Sequence, residues 1–472
     1  MLSPADSDFL SLLEARLPAG TVRPAEQKYL EEPRGRYFGH AGAVACPVST
    51  EDVSVILSAA NAARVGVIPY GGGTGLVGGQ VMTDGPAPLV LSLERMNGIR
   101  AIEPKGNVMV AEAGCVLKDV QDAAEGAGRL FPVSLASEGT AQIGGLLGTN
   151  AGGTGVLRWG NMRDQVLGLE VVLADGRVMH GLKRLRKDNL GYDLRHLLIG
   201  AEGTLGVITA ASLRLMPRPA RNGAAMMVVR DPAAALDLLG RAQARLGEGV
   251  SGFELISGVG LRFLDEVLPQ VRQPFNARPD WVVLIDLGLA AGLDPEAELE
   301  ALFAEALEAG LVNDGVIAQN EGQRAQFWAV RETIPEANRL IGAISSHDVS
   351  LPLEALPGFI DRAQDALSKI GSFRINCFGH VGDGNLHFNV YPPKGEPRAD
   401  YELLRGQVMD CVHEIVAGLG GSVSAEHGVG RMKIADLERF GDPVSIEVMR
   451  SIKRMLDPRG ILNPGAVLQS GE

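Results

Sequence analysis

A glycine-rich stretch at residues 69–80, PYGGGTGLVGGQ, constrains the fold of this chain more than any other segment. Six of its twelve residues are glycine, and it directly follows the short apolar run Val67-Ile68. Because glycine has no Cβ, consecutive backbone N–H groups can turn inward and hydrogen-bond an anion closely, without a cationic side chain. The stretch therefore predicts a phosphate-binding loop; a glycine-rich surface loop without a ligand is the alternative.

The same stretch contains the spacing of a dinucleotide fingerprint, Gly73-x-Gly75-x-x-Gly78. That fingerprint requires a strand before the loop and an amphipathic helix after it. Here the predicted helix comes before the loop. The residues that follow, VMTDGPAPLVLSLERM, contain two prolines and a β-rich run, which is typical of loop and strand. The pattern therefore argues against a Rossmann nicotinamide site.

Composition narrows the class of ligand. At 472 residues the chain predicts at least two domains, and the net charge of −13 disfavours nucleic acid and anionic membranes as partners. We expect no membrane span, because no apolar run approaches ~18 residues.

The start, MLSPADSDFLSLLEARLP, has early acids and helical spacing and does not resemble a signal peptide, so we expect a cytoplasmic location. Four isolated cysteines give no iron–sulfur or C-x-x-C pattern.

The distribution of glycine and proline predicts the order of domains. Two further glycine-bearing segments follow the first, at residues 132–155 and 198–215, within short strands and turns. Met216-Pro217-Arg218-Pro219 is the best boundary candidate, since two prolines in three residues interrupt strand pairing. Beyond it strands and helices alternate. We therefore predict an α+β domain followed by a mixed α/β module and a C-terminal helix.

Polar side chains suited to metal binding and proton transfer are concentrated in two glycine-flanked segments. The first, GHVGDGNLHFN at residues 379–389, places His387 and Asn389 on one face of a predicted strand. The second, SAEHGVGRMK at residues 424–433, contains a carboxylate beside a histidine. Two histidines and a carboxylate suit a divalent metal with open coordination positions. The alternative interpretation is that these are ordinary polar residues at strand ends that bind no metal. We interpret the other histidines as structural: His40, His180, His196, His347 and His413.

Taken together, these motifs resemble the FAD-linked oxidase family of the vanillyl-alcohol-oxidase type, in its D-2-hydroxyacid dehydrogenase branch. The resemblance extends over about residues 47–468, and its motifs are PYGGGTGLVGG, ASEGTAQIGGLLGTNAGG, LIGAEGTLGVIT, GHVGDGNLHFNV, SAEHGVGRMK and LDPRGILNPG. It implies a two-lobed α+β FAD-binding domain of the vanillyl-alcohol-oxidase/PCMH type. The implied limits are an N-terminal helical segment at 1–38, the FAD-binding domain at 39–219, and a substrate- and metal-binding domain at 220–472 whose tail, 440–472, returns to the flavin.

The resemblance also implies which residues contact the cofactor. The flavin-contact candidates are Gly71, Gly72, Gly73, Thr74, Gly75, Gly139, Thr140, Gly144, Thr149, Asn150, Gly153, Glu202, Ile208 and Asn463. Relatives that attach FAD covalently carry a histidine or cysteine in these loops. Residues 71–79 contain neither, so we expect non-covalent FAD.

In the hydroxyacid branch, His380, His387 and Glu426 match the ligands of a divalent metal, zinc or manganese, and His427 matches the catalytic base. The resemblance thus implies a mechanism in which the metal would lower the pKa of the substrate hydroxyl, the base would take its proton, and the α-hydrogen would leave as hydride to the flavin. Arg331 resembles the residue that binds a substrate carboxylate; a surface arginine in a salt bridge is the alternative. The substrate-contact candidates are Arg331, Ser346, His347, Asn389 and Lys433.

One position departs from the pattern that decides the substrate. Relatives specific for D-2-hydroxyglutarate carry a lysine two residues before the aspartate of the DVSLP strand, where this chain has Ser346. D-2-hydroxyglutarate remains the first choice, with His347 or Lys433 supplying the charge, and D-lactate or another monocarboxylate is the second.

Two other functions compete with this one: a reductase of the same fold that uses NADPH, and a flavin-binding electron-relay or assembly subunit. The two histidine-containing segments argue against both. The resemblance suggests an electron-transferring flavoprotein or a quinone as acceptor. A homodimer is compatible with the sequence, which does not define the number of subunits.

Overall fold

The structure, a computed structural model, describes residues 1–35 and 37–469. The strands are β1 Val22–Arg23, β2 Ala43–Ala45, β3 Val67–Tyr70, β4 Leu89–Ser92, β5 Ile99–Glu103, β6 Val108–Glu112, β7 Arg129–Leu130, β8 Val166–Val172, β9 Val178–Gly181, β10 Val207–Arg214, β11 Met216–Pro217, β12 Arg221–Val229, β13 Val250–Ser257, β14 Trp281–Leu289, β15 Val312–Ile317, β16 Ser345–Ser350, β17 Arg374–Gly379 and β18 Asn385–Tyr391. The α-helices are α1 Ser7–Glu14, α2 Thr50–Ala63, α3 Leu117–Gly126, α4 Ile143–Thr149, α5 Val156–Trp159, α6 Leu194–Leu198, α7 Pro232–Leu246, α8 Gly258–Val267, α9 Pro295–Glu308, α10 Glu321–Ile341, α11 Leu356–Ser368, α12 Arg405–Gly418, α13 Ile434–Phe440 and α14 Pro443–Leu456.

The chain divides into two compact units. The first unit comprises residues 1–153, 160–218 and 426–472, and the second comprises residues 154–159 and 219–425. The C-terminal segment from Glu426 onward thus belongs to the first unit. The domain limits that we drew from the sequence stay predictions.

Two main sheets form the first unit. In one, β4 pairs in parallel with both β2 and β3, and α2 connects β2 to β3. Ser49 caps α2 by accepting a hydrogen bond from the backbone N–H of Asp52, and Arg64 ends the helix in the left-handed conformation (φ 57°). The other sheet is antiparallel, in the order β5-β6-β10-β8-β9. β3 ends at Tyr70, so the first glycines of the glycine-rich stretch directly follow this strand, whose first two residues are buried.

The C-terminal tail is fixed within the first unit. Lys453 on α14 donates hydrogen bonds to the Asp457 carboxylate (2.6 Å) and to the carbonyl oxygen of Leu462 (2.8 Å). The Asp457 carboxylate also accepts from the backbone N–H groups of Ile461 and Leu462. Leu462 then forms a parallel bridge with Val67 of β3. These contacts place Asn463 next to the strand that carries the glycine-rich stretch.

A seven-stranded antiparallel sheet, in the order β15-β12-β14-β13-β17-β18-β16, forms the centre of the second unit. Its alternate side chains enter different cores. On β12, Ala225 and Met227 pack with α7, α9, α11 and α12, whereas Ala224 and Met226 pack with α8 and α10. Because helices cover both faces, the inner strands β12 and β14 are largely apolar, and a buried polar residue on any strand of this sheet requires a partner. Across the part of the chain that the structure describes, we find no helix long and apolar enough to cross a membrane.

Candidate active site

The glycine-rich loop after β3 packs closely against the segment at residues 140–145. Gly73 and Gly78 have φ angles of 72° and 70°, in the left-handed region that favours glycine. A Cβ on Gly72 would overlap the carbonyl oxygen of Thr140, and one on Gly71 would lie 3.2 Å from the Cα of Gly145. Side chains at these glycines would therefore collide with the neighbouring backbone. Their absence leaves the backbone N–H groups of the loop accessible at the close range that a bound pyrophosphate needs.

The second glycine segment shapes the neighbouring backbone. Helix α4 ends at Thr149, and the residue that caps it is Asn150, whose φ is 53° and whose side chain accepts a hydrogen bond from the backbone N–H of Arg163 (2.9 Å). Gly153 follows with a φ of 101°, and its N–H donates to the Glu426 carboxylate (3.2 Å). A Cβ on Gly144 would lie 2.9 Å from that of Ala113.

The third glycine segment and the C-terminal tail meet the first loop. Glu202, with φ at 50°, accepts hydrogen bonds from the backbone N–H groups of Val429 (2.7 Å) and Gly430 (2.8 Å). Burial raises the pKa of Glu202 despite those donors. The Asn463 amide donates to the carbonyl oxygens of Gly79 (3.0 Å) and Glu202 (2.9 Å). These segments, all within the first unit, therefore come together around one loop.

Arg431 is a residue of this cluster that the flavin-contact prediction did not include. Its guanidinium donates to the carbonyl oxygens of Gly78 and Gly79 and to the side chain of Asn463. Burial lowers the pKa of Arg431 to about 10, although the nearby Glu202 favours the charged form. These hydrogen bonds connect Arg431 to the end of the glycine-rich loop. All predicted flavin contacts lie within the first unit.

His380 and His387 lie on adjacent strands of the second unit. His380 directly follows β17, and His387 is on β18 opposite Phe378. Their ring centroids are 5.7 Å apart, and one nitrogen of each ring lies within 4.8 Å of the other. That separation suits two ligands of one metal ion, since each Zn–N bond is about 2.0–2.1 Å.

A buried carboxylate connects His380 to Arg331. Oε1 of Glu254 on β13 lies 2.7 Å from Nδ1 of His380, and Oε2 accepts a hydrogen bond from Nε of Arg331, also at 2.7 Å. The Arg331 guanidinium lies over the ring of Phe378, 4.8 Å from its centroid. Burial opposes ionisation of Glu254, but its interactions with His380 and Arg331 outweigh that effect and lower the pKa of Glu254.

The neighbouring strand β16 adds polar side chains to the same sheet face. Asp348 lies opposite His387 in the strand register, with 3.9 Å between Oδ1 of the aspartate and Nδ1 of the histidine. Asn385 donates to the Asp348 carboxylate (3.0 Å). Ser346, which is exposed, lies opposite Asn389. Ser346 and Asn389 therefore share the face that carries His387.

His347 points to the opposite face of β16. Its ring packs edge-on against that of His413 on α12, with centroids 5.2 Å apart, and both are buried. The hypothesis that His347 supplies the cation for a distal carboxylate requires it to lie beside Ser346 and Asn389. The structure does not bring these residues together. The reason is the period of two along a strand, which turns adjacent residues to different faces.

The remaining predicted residues belong to the first unit. Glu426 and His427 are half-buried, and Lys433 immediately precedes α13. Up to Ala425 the chain runs beside β16, where the N–H of Ala425 donates to the carbonyl oxygen of Asp348 (3.2 Å). Glu426 is the next residue in sequence.

Besides Arg431, sequence reasoning missed Glu254 and Asp348 as site residues. Asp348 is the aspartate of the DVSLP run, two residues after Ser346, and it had no predicted role of its own. Glu254 is the one charged residue in the strand sequence VSGFELIS, which is a recognisable anomaly, but its partners are distant in sequence.

Comparisons with known proteins identify the family of the chain and its fold. A family model described as "FAD linked oxidases, C-terminal domain" matches residues 218–467, and one described as "FAD binding domain" matches residues 41–181. A D-2-hydroxyglutarate dehydrogenase of Xanthomonas citri pv. viticola is 37% identical, over 98% of each chain. A mitochondrial D-2-hydroxyglutarate dehydrogenase of Arabidopsis thaliana is 37% identical over 92% of this chain and 76% of its own.

Solved structures establish the fold at lower identity. p-Cresol methylhydroxylase superposes with a TM-score of 0.76 at 16% identity, covering 99% of this chain and 98% of its own. An alkyldihydroxyacetonephosphate synthase gives 0.73 at 16% identity, covering 98% and 86%. The predicted fold class, an α+β FAD-binding domain with a mixed α/β partner domain, is confirmed.

The fold and the clustered glycine loops define a flavoprotein oxidoreductase that binds FAD. More narrowly, the chain belongs to the FAD-linked oxidase family. The resemblance inferred from its motifs and the prediction of FAD are confirmed.

Proposed function

We propose that this protein oxidises D-2-hydroxyglutarate to the corresponding 2-oxo acid. The observation that carries the proposal is the grouping of Arg331, His380 and His387 on one face of the second unit's sheet, with one carboxylate linking the first two. A guanidinium suited to a carboxylate stands beside two imidazoles suited to a metal. The names of the relatives at 37% identity support the same substrate.

A divalent metal, zinc or manganese, completes the proposal, with His380, His387 and Glu426 as its ligands. The hydrogen bond of His380 Nδ1 to Glu254 leaves Nε2 as its metal-binding nitrogen. Glu426 directly follows Ala425, which is held beside β16. When bound, the metal lowers the pKa of the substrate's α-hydroxyl.

Chain residues perform the binding and the proton transfer. Arg331 binds a carboxylate of the substrate, since its guanidinium can donate two parallel hydrogen bonds. His427 accepts the hydroxyl proton. Bound FAD supplies the acceptor for the α-hydrogen and its two electrons. The glycine loops hold that cofactor through backbone N–H groups without a covalent bond.

D-lactate, or another D-2-hydroxymonocarboxylate, is the second candidate substrate. Ser346 favours it, because this exposed position beside Asn389 carries no charge for a distal carboxylate. Lys433 is the remaining candidate cation for D-2-hydroxyglutarate. As acceptor of the electrons we propose an electron-transferring flavoprotein or a quinone. A homodimer and a cytoplasmic location stay predictions from the sequence.

Anaerobic bleaching of the flavin tests the function. The protein is mixed without NADH with a panel of 2-hydroxy acids, and flavin absorbance is followed. We expect D-2-hydroxyglutarate to bleach it faster than D-lactate or the L-enantiomers. A chain that only relays electrons or supports assembly would be bleached by none of them, and a reductase of this fold would respond to NADPH.

A further inference from the structure

Glu254 is a buried carboxylate of the second unit, and both of its oxygens have a hydrogen-bond partner. Its side chain is 1% exposed, and each of its two oxygens has its own partner, Nδ1 of His380 and Nε of Arg331, both at 2.7 Å. It lies on β13 at the centre of the sheet, between β14 and β17. A charge so placed is costly unless it is paired and hydrogen-bonded, so this arrangement is maintained against a large desolvation cost.

The hydrogen bond to His380 decides which nitrogen of that ring carries the proton. An ionised carboxylate can only accept, so Nδ1 of His380 must be the donor. In the neutral ring Nε2 then keeps its lone pair, which is the form that binds a metal. The same carboxylate fixes the Arg331 side chain at Nε, which leaves the Nη groups as the ones that can meet an anion in parallel.

We infer that Glu254 is a positioning residue that sets both the metal-binding face of His380 and the carboxylate-binding face of Arg331. This inference rests on the proposed function and deepens it, since it links two binding events through one side chain. Neither the imidazole nor the guanidinium can rotate without losing its hydrogen bond to Glu254. The relative position of metal and substrate carboxylate is thereby fixed before either binds.

Glu254→Gln keeps the side-chain volume almost constant but removes the ability to accept hydrogen bonds from both His380 and Arg331. A glutamine amide has one acceptor oxygen and one donor NH₂ group, so it cannot accept from both partners. If its oxygen stays with Arg331, its NH₂ faces His380, and Nδ1 must become an acceptor. The ring proton then moves to Nε2 and blocks the metal-binding nitrogen. If the oxygen turns to His380 instead, Arg331 faces a donor and loses its support.

The experiment compares Glu254→Gln, Glu254→Asp and a matched control, Asp286→Asn. Asp286 is also a buried carboxylate on the adjacent strand β14, but its partners are Arg324 (2.7 and 2.9 Å) and Trp328 (3.1 Å). Three quantities are measured on the FAD-loaded full chain: zinc affinity by chelator competition, KM and kcat for D-2-hydroxyglutarate, and the unfolding temperature. The control reports what the loss of a buried charge does to stability alone.

We expect Glu254→Gln to weaken zinc binding by ~10–100-fold, the usual cost of losing an outer carboxylate partner, and to raise KM. Glu254→Asp retains the charge but is one methylene shorter, so its zinc affinity should fall below that of the wild type, but by less than in Glu254→Gln. Asp286→Asn should lower the unfolding temperature while zinc affinity and KM stay at the wild-type values. If Glu254→Gln does not fold, Glu254→Asp decides, and wild-type affinity in that variant overturns the inference.

The outcomes separate this inference from the proposed function. If the wild type binds no zinc or manganese, both the metal assignment and the inference are overturned. If the wild type binds metal and oxidises D-2-hydroxyglutarate, but Glu254→Gln keeps zinc affinity and KM within twofold, only the inference falls. An equal loss of zinc affinity in Asp286→Asn would assign the effect to general destabilisation and also overturn it.

Discussion

At the scale of single residues, the proposed reaction depends most on His427. It is half-buried in the first unit and follows Glu426 in a glycine-flanked segment. A histidine titrates near neutral pH, so it can accept the hydroxyl proton at working pH. We expect His427→Asn to slow flavin reduction by ~10²–10⁴, the range for loss of a general base, with a much smaller change in substrate affinity. Anaerobic stopped-flow absorbance measures both.

His196→Asn is the matched control for that variant. His196 is a partly exposed histidine of the same unit, with Nδ1 3.4 Å from the Asp193 carboxylate, and no role is proposed for it. Reduction kinetics should match those of the wild type. If His427→Asn reduces its flavin as fast as the control variant, His427 is not the base.

Ser346 tests the choice between the two substrates. It lies on the β16 face that carries Asn389 and His387, so a lysine there would extend over the same face. We expect Ser346→Lys to raise kcat/KM for D-2-hydroxyglutarate and to leave that for D-lactate unchanged, because only the former has a distal carboxylate to pair with the new charge. Steady-state kinetics on both acids decide it. A wild type that already prefers lactate tenfold would reverse the order of substrates.

Some residues of the candidate site could be identified from the sequence, and others could not. His380, His387 and Glu426 could be singled out because they stand in glycine-flanked polar segments. Glu254 could not be joined to them, since it is 126 residues from its partner His380 and the pairing depends on sheet order. His347 was placed with the substrate contacts because it is close to Ser346 in sequence, but the period of two in β16 turns it to the other face.

At the scale of elements, glycine spacing predicted the loops well, because the absence of a Cβ is itself the structural requirement. The strand before the first loop and the absence of a Rossmann helix after it both follow from local pattern. The contacts between the glycine-bearing segments could not be predicted from local pattern, since Gly72 lies against Thr140 and Gly79 accepts a hydrogen bond from Asn463, residues far away in sequence. The all-antiparallel order of the second unit's sheet likewise lies beyond local pattern.

Those contacts lead to a prediction for the loop. A Cβ at Gly72 would overlap the carbonyl oxygen of Thr140, so Gly72→Ala must displace backbone. We expect FAD affinity to fall by at least tenfold, equivalent to ~1.4 kcal/mol, measured by fluorescence titration of the apoprotein. Gly126→Ala is the control, because a Cβ there has no heavy atom within 4 Å. Equal FAD affinity in both variants would contradict the packing.

At the scale of the whole molecule, the cofactor contacts and the histidine pair belong to different units. The flavin candidates all lie in the first unit, whereas His380 and His387 lie in the second. Residues 71–79 offer no histidine or cysteine for covalent attachment, so FAD should be retained only by non-covalent contacts. Acid precipitation should therefore release the yellow chromophore into the supernatant. Colour that remains with the pellet would show a covalent bond elsewhere in the chain.

The same division predicts that metal and flavin can be removed separately. A strong chelator should abolish turnover, because the substrate hydroxyl loses the ion that lowers its pKa, while the flavin spectrum persists, because the glycine loops use backbone donors and no metal. Zinc or manganese should restore turnover, and the metal content of the protein should follow activity in the titration. The His380→Ala, His387→Ala double variant should bind FAD as the wild type does and remain inactive after metal is added. Full activity in that variant would remove the metal from the mechanism, whereas loss of FAD on chelation would show that the two sites are energetically coupled.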